Sequence, residues 1–291
     1  MVAMSSPSSP RAAGPASGAQ AADWLGVCRR TVAAQRAIFD AVAGVEARTS
    51  YEGIGEGGDH ALAIDRRCEE AALAELEKVA TSGPSFRVVS EERGEVDFGD
   101  EAGLLVVIDP IDGSLNARRT IPSHSFSFAV ASGTTMADVE FGYVYDFGAE
   151  EEFVARRGAG AVLGDLPLEA RKDDGLEVVG IEGAKPELTL PFVDAVQGSV
   201  YRLRGIGSIA ITVAYVAAGR LDGMVSVRPC RSVDAAAAQL IAREAGGLVA
   251  FGGLALEAAD LGLDARYPIA AAATESGLAT LRAAQAKVAN I

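Results

Sequence analysis

Cysteine and histidine are scarce in this chain. Cys28, Cys68 and Cys230 are odd in number, far apart and form no CxxC pair. That pattern argues against a disulfide framework or a zinc site and fits a reducing, cytoplasmic setting. His60 and His124 are the only histidines, too few for a histidine-built metal centre. No apolar run is long enough to span a membrane. The first 20 residues lack the apolar region of a secretory signal. Positive charge is also in short supply: 26 Lys and Arg face 40 Asp and Glu, a formal charge of −14. Such an acidic surface argues against a nucleic-acid partner, because phosphate backbones bind Lys and Arg. No internal repeat is visible.

What the chain does have is apolar mass. Hydrophobic residues make up 49% of 291, enough to core one large or two small domains. Residues 1–22, rich in Ser, Pro, Ala and Gly, read as a disordered tail. Residues 23–174 read as an α+β half. A helix is expected over Asp23–Val45 and another over Ile64–Val79, separated by a glycine-rich loop, Tyr51–His60, that carries Asp59. Strands follow at Phe86–Ser90, Leu104–Val107, Ser125–Ala131 and Val139–Tyr145, with a hairpin over Glu152–Leu163. Residues 175–291 alternate strands with helices, as α/β units do. The strands are Val178–Ile181, Tyr201–Leu203, Asp222–Val227 and Ile269–Ala273. The helices are Leu190–Val196, Ile209–Ala218, Ser232–Ala245 and Glu275–Val288, the third capped by Ser232 and stopped by Gly246 and Gly247.

The chemistry concentrates in Ile108–Asn116, IDPIDGSLN. It follows an apolar strand and places Asp109 and Asp112 at that strand's carboxyl end, where α/β folds bind ligands. Pro110 cannot continue a ladder, so a turn is expected there. Gly113 permits positive φ or close backbone approach. Two acids facing one point repel by roughly 4 kcal/mol at about 4 Å and an effective dielectric of about 20. A cation between them would relieve this, and hard oxygen ligands suit Mg²⁺. An Asp-rich solvated turn is the plainer reading of such a pair taken alone. The pattern recurs, however. Phe86–Ser90 delivers Glu91 and Glu92, and Asp234 opens a helix whose Ala235–Ala238 allow close packing that could drive it toward a buried point. Gly207 and Ser208 open the Ile209–Ala218 helix, and free N–H groups at a helix start bind phosphate.

These residues resemble a family. IDPIDGSLN is similar to the DPxDGTxN signature of the inositol monophosphatase family, with Ser114 for the commoner Thr. SEERG at 90–94 resembles its Glu-Glu metal segment. SVDAAAAQLIAREAGG at 232–247 resembles its second signature, WDxAAGxLLxxEAGG, with Val233 for Trp. GDHALAID at 58–65 resembles its mobile-loop segment, and LDGMVSVRPCRSVD (221–234) looks most like the archaeal-type branch that acts on inositol monophosphate and fructose 1,6-bisphosphate. The resemblance runs from about Asp23 to the C-terminus. It implies a layered αβαβα sandwich with the active site at the junction of the two halves. It also implies a Mg²⁺-dependent, lithium-sensitive phosphomonoesterase, two or three Mg²⁺ per site, and a homodimer.

Carried over, Glu91, Asp109 and the Ile111 carbonyl would hold one Mg²⁺, and Asp109, Asp112 and Asp234 a second. Asp59 with Glu91 would help hold a third. Glu91 and Ser114 would orient the attacking water, with Asp65 hydrogen-bonded to Ser114. The Gly113 and Ser114 N–H groups would hold the phosphate beside Asp112, and Gly207 and Ser208 would meet the rest of a small phosphorylated polyol or sugar. Five carboxylates would converge with no basic residue adjacent in any motif. Arg228 is assigned to substrate binding. It shares with Arg118, Arg119 and Arg231 an open question: contact with a second phosphate, or solvated and ion-paired charge. Two other readings stand beside the hydrolase: a catalytically weak regulatory or binding protein on the same fold, and a nucleotide-bisphosphate phosphatase.

Overall fold

The computed structural model describes residues 22–42, 44–49, 51–54, 60–81, 83–100, 103–173 and 175–288. Two helices open it: α1 (Trp24–Ala41) and α2 (Ala63–Ala80). Between them β1 (Tyr51–Ile54) pairs antiparallel with β2 (His60–Leu62), so the ends of the expected glycine loop are strands. Asp59 lies outside the described residues.

An eight-stranded sheet follows. Its strands are β3 (Phe86–Ser90), β4 (Gly94–Phe98), β5 (Leu104–Asp112), β6 (Ser125–Ala131), β7 (Val139–Asp146), β8 (Glu151–Arg156), β9 (Gly160–Leu163) and β10 (Leu166–Pro167). The spatial order is β10-β9-β8-β7-β6-β5-β3-β4, and only the β3–β5 pair is parallel. The short helix α3 (Ser114–Arg118) follows β5 directly.

A second, mixed sheet has the order β12-β11-β13-β17-β15. It contains β11 (Leu176–Glu182), β12 (Val200–Arg204), β13 (Gly223–Ser226), β15 (Leu248–Phe251) and β17 (Ile269–Ala272). A small ladder joins β14 (Cys230–Arg231) to β16 (Arg266–Tyr267). The helices of this part are α4 (Pro186–Ala195), α5 (Ile209–Ala217), α6 (Ser232–Glu244) and α7 (Glu275–Gln285).

The layers follow from which face of each strand is large and which is small. On β6, Phe126, Phe128 and Val130 pack with Trp24, Val27 and Leu76 of α1 and α2. The alternate residues Ser125, Ser127, Ala129 and Ala131 face the other way, because successive strand side chains point to opposite faces. On that side, Ala129, Ala131, Val107 and Val89 pack with Ala235–Ala238 of α6 and with α5. Val179, Val225, Ala270 and Ala272 of the second sheet pack with Phe192 of α4 and Leu281 of α7. The result is an α+β sandwich of five layers: α1/α2, large sheet, α5/α6, small sheet, α4/α7. No helix among the described residues is long and apolar enough to cross a membrane.

Two local expectations are corrected. The chain does not turn at Pro110; β5 runs on to Asp112. The irregularity is taken up in the ladder, where Asp109 pairs with Ser127 but Asp112 pairs with Ser125, three steps against two. A bulge admits a proline without ending a strand. The cap of α6 is Arg231, not Ser232. The Ser232 hydroxyl instead donates to the Leu261 and Gly262 carbonyls. Strands β4 (Gly94–Phe98) and β15 (Leu248–Phe251) add to those expected, because segments this short beside a glycine carry little periodic signal.

Candidate functional site

Three elements deliver acids to one place. The β5 bulge presents Asp109 and Asp112, the end of β3 presents Glu91, and the first turn of α6 presents Asp234. All four are buried, Asp109 completely. One carboxylate oxygen each from Asp109, Asp112 and Asp234 can lie within 4.8 Å of the others. Small residues make this approach possible. A Cβ on Gly142 of β7 would stand 2.7 Å from the Ala237 carbonyl oxygen, so α6 lies directly on the sheet and carries Asp234 inward.

Each acid is held. Asp109 Oδ1 accepts the Ile111 N–H (3.0 Å). Asp112 Oδ2 accepts from Ser208 Oγ and from the Ala210 N–H, both at 2.6 Å. Asp234 accepts the Arg231 backbone N–H (3.0 Å) and its Nε (3.2 Å). Glu91 accepts from Arg231 Nη1. A buried arginine therefore bridges Glu91 and Asp234. This corrects the expectation of a cluster without a basic residue and resolves the open question for Arg231, which is ion-paired. The spacing carried no such signal, because Arg231 and Glu91 are 140 positions apart.

One positive charge does not neutralise four acids. Burial, followed by the charges of Glu91, Asp234 and Asp112, raises the Asp109 carboxyl well above its ordinary range. Burial and then Asp234 push Asp112 up to about 7. Glu91 is also raised, by burial first, with Arg231 opposing. The buried Asp109 Oδ2 has no hydrogen-bond partner among the described residues. An orphaned carboxylate oxygen inside an acid cluster fits a hard divalent cation.

The turn after β5 has the expected backbone. Gly113 takes φ 93°, and a Cβ there would meet the Gly207 and Ser123 carbonyls at 2.9 and 3.0 Å. The Ser114 hydroxyl donates to the Ile111 carbonyl (2.9 Å), not to Asp65 as expected. Asp65 is buried in the first turn of α2. The helix start at Gly207–Ser208 is beside Asp112, and three of its amides are taken within the chain: Glu182 accepts the Gly207 N–H (2.9 Å), Asp112 that of Ala210, and Ser208 Oγ that of Ile211. Arg228 is exposed against Gly183, Arg118 is half-buried on α3, and Arg119 is exposed.

Three buried acids lie outside the set expected from the sequence: Glu69, Glu182 and Asp146, the last of which accepts from the Gly148 and Ala149 N–H groups and the Tyr215 hydroxyl. Glu69 of α2 accepts from the Ser90 hydroxyl and from the Glu92 (3.2 Å) and Arg93 (3.0 Å) N–H groups, and so holds the turn that carries Glu91. Its signal was available: an acid three and seven residues before Ala72 and Leu76 lies on the buried stripe. Glu182 had no periodic signal.

The family model described as "Inositol monophosphatase family" matches residues 27–287. A fructose-1,6-bisphosphatase/inositol-1-monophosphatase of Methanothermobacter thermautotrophicus is 31% identical over 236 residues, 78% of this chain and 83% of that protein. A protein named Nus factor SuhB, from Pasteurella multocida, is 36% identical over 199 residues, covering 66% and 71%. The crystal structure of an inositol monophosphatase-fructose 1,6 bisphosphatase superposes with a TM-score of 0.79 at 26% identity, covering 90% of this chain and all of that one. The chain belongs to the inositol monophosphatase family.

Proposed function

We propose that the protein is a Mg²⁺-dependent phosphomonoesterase acting on a small phosphorylated polyol or sugar, with inositol 1-phosphate and fructose 1,6-bisphosphate as first substrates. The observation that carries the reading is the buried Asp109–Asp112–Asp234 cluster with its orphaned oxygen. Relatives named for those two activities support the phosphatase class. Asp109, Asp112 and Asp234 would hold the cations, joined by Glu91 and the Ile111 carbonyl. Bound there, Mg²⁺ supplies charge for the phosphoryl oxygens and acidifies the attacking water.

The chain's own residues do the rest. Glu91, once released from Arg231, is placed to accept the water's proton, and the Ser114 hydroxyl orients that water. The N–H groups of Gly113 and Ser114 would hold the phosphate. The Gly207–Ser208 turn, next to Asp112, borders the remainder of the substrate. No nucleophilic cysteine is required, and the three cysteines are buried.

The test is phosphate release from both substrates, with Mg²⁺ and with EDTA, by the wild type and by Asp109→Asn. Removing one transition-state charge partner costs roughly 10²–10³-fold in such sites, so Asp109→Asn should fall at least about 100-fold. Full activity in that variant overturns the mechanism. The relative named Nus factor SuhB favours a second reading, a binding role on the same fold. Saturable Mg²⁺ binding without turnover of any phosphomonoester would favour it.

A further inference from the structure

One buried carboxylate has no part in the chemistry above. Glu182 ends β11 and is 3% exposed. Its Oε1 accepts from the Ile206 N–H (3.0 Å) and the Thr212 hydroxyl (2.8 Å), and its Oε2 accepts from the Gly207 N–H (2.9 Å). The Thr212 hydroxyl also lies 2.6 Å from the Ser208 carbonyl. Burying an acid is costly even when it is well bonded. Capping α5 does not explain the expense, because Ser208 Oγ already accepts the Ile211 N–H (3.1 Å). The start of α5 is thus held by two acids from two sheets, Asp112 of β5 and Glu182 of β11, both favoured by the helix dipole.

The segment that Glu182 grips is the wall beside the acid cluster. Gly207 has φ 89°, and its carbonyl stands 2.9 Å from where a Cβ on Gly113 would be. Asn116 Nδ2 donates to the Ile206 carbonyl (2.8 Å) from the Gly113 side. Gly205 and Gly207 are exposed, so this backbone faces solvent directly before Ser208, whose hydroxyl donates to Asp112.

We propose that Glu182 is a positioning residue for substrate recognition. It clamps the Ile206–Gly207 backbone against the Gly113 turn and so sets where the non-phosphate part of a phosphomonoester sits. The inference rests on the hydrolase reading. One backbone N–H on each oxygen, with the single Thr212 hydroxyl proton shared between Oε1 and the Ser208 carbonyl, fixes both the position and the tilt of the segment. A glutamine has one acceptor oxygen and one NH₂, so an NH₂ must face either Gly207 N–H or the Ile206–Thr212 pair.

The experiment compares wild type with Glu182→Gln in the Mg²⁺-loaded state. It reads KM and kcat for inositol 1-phosphate and fructose 1,6-bisphosphate, and inhibition by inorganic phosphate. It also follows amide hydrogen exchange by mass spectrometry. Losing hydrogen bonds that act equally in ground and transition states should raise KM about tenfold with kcat held within about twofold. Inhibition by inorganic phosphate should be unchanged, and exchange should accelerate over Arg204–Ser208 alone. A folded variant with unchanged KM and exchange overturns the proposal, as does an equal loss of kcat and phosphate binding. If Glu182→Gln does not fold, Thr212→Val replaces it under the same criteria. If the wild type turns over neither substrate, the hydrolase reading fails while the exchange comparison still decides the clamp.

Discussion

Gly142→Ala is a substitution with no polar atom and no contact with any substrate, yet it should disturb the site. The added Cβ would stand 2.7 Å from the Ala237 carbonyl oxygen and 3.3 Å from two further Ala237 backbone atoms. Neither partner can rotate away, because one is a sheet and the other a helix backbone. Restoring ordinary contact requires α6 to rise by about 0.7 Å from β7. Overpacking of this kind costs about 1–3 kcal/mol. For a chain of this size that lowers Tm by about 2–5 °C. Asp234 lies three residues before Ala237, on the same face of α6, and should move with it. Differential scanning calorimetry in EDTA and titration calorimetry with Mg²⁺ read the two effects separately. The expected result is a lower Tm together with Mg²⁺ affinity weakened about tenfold, the scale of displaced supporting groups. A variant with wild-type Tm and wild-type Mg²⁺ affinity would refute the idea that small residues on β7 set the depth of Asp234.

Metal-free stability should fall as pH rises. Burial pushes Asp112, Glu92 and Glu182 each up to about 7, so the folded chain binds these protons more tightly than the unfolded chain. Their contribution is complete below the ordinary carboxylate range and is lost as pH climbs through about 7. His124, lowered by burial to about 4, acts with the opposite sign, but it is a single group. Tm in EDTA between pH 5 and pH 8 should decline, and Mg²⁺ should restore most at the upper end; a rising Tm in EDTA contradicts this. Glu69→Ala leaves the Ser90 hydroxyl and two backbone amides without their acceptor. It should cost about 2–4 kcal/mol, read by urea unfolding, and a loss below about 0.5 kcal/mol would remove Glu69 from the support of Glu91. Arg231→Gln withdraws the cation between Glu91 and Asp234. Breaking a buried pair in this way costs about 3–5 kcal/mol, so the metal-free Tm should drop more than the Mg²⁺-saturated Tm. Equal drops would show that Arg231 and the cation do not share the same charge.

The sequence by itself determined the class of fold, the order of the six longer helices and of most of the longer strands, and the identity of the four acids that meet. Those are local properties. Alternation marks Phe126–Phe128–Val130 as one face of a strand, and an acid at the end of an apolar run marks Glu91 and Asp109. Four alanines after Asp234 announce a helix that can approach closely, and the sheet does hold α6 at Ala237. Only the tertiary structure decided what stands between and behind those acids. Arg231 reaches Glu91 across 140 positions, Glu182 meets Gly207 across 25, and Glu69 meets Arg93 across 24. The same holds for the start of α5, where the Gly207, Ala210 and Ile211 amides read as free and are bonded within the chain. A hydrogen bond between distant segments leaves no period in the sequence, because its partners are chosen by how two sheets and the helices between them come to rest. Pro110 shows the converse: its own chemistry forbids a ladder bond, but neighbouring strands absorbed the defect as a bulge and kept Asp109 and Asp112 on one strand.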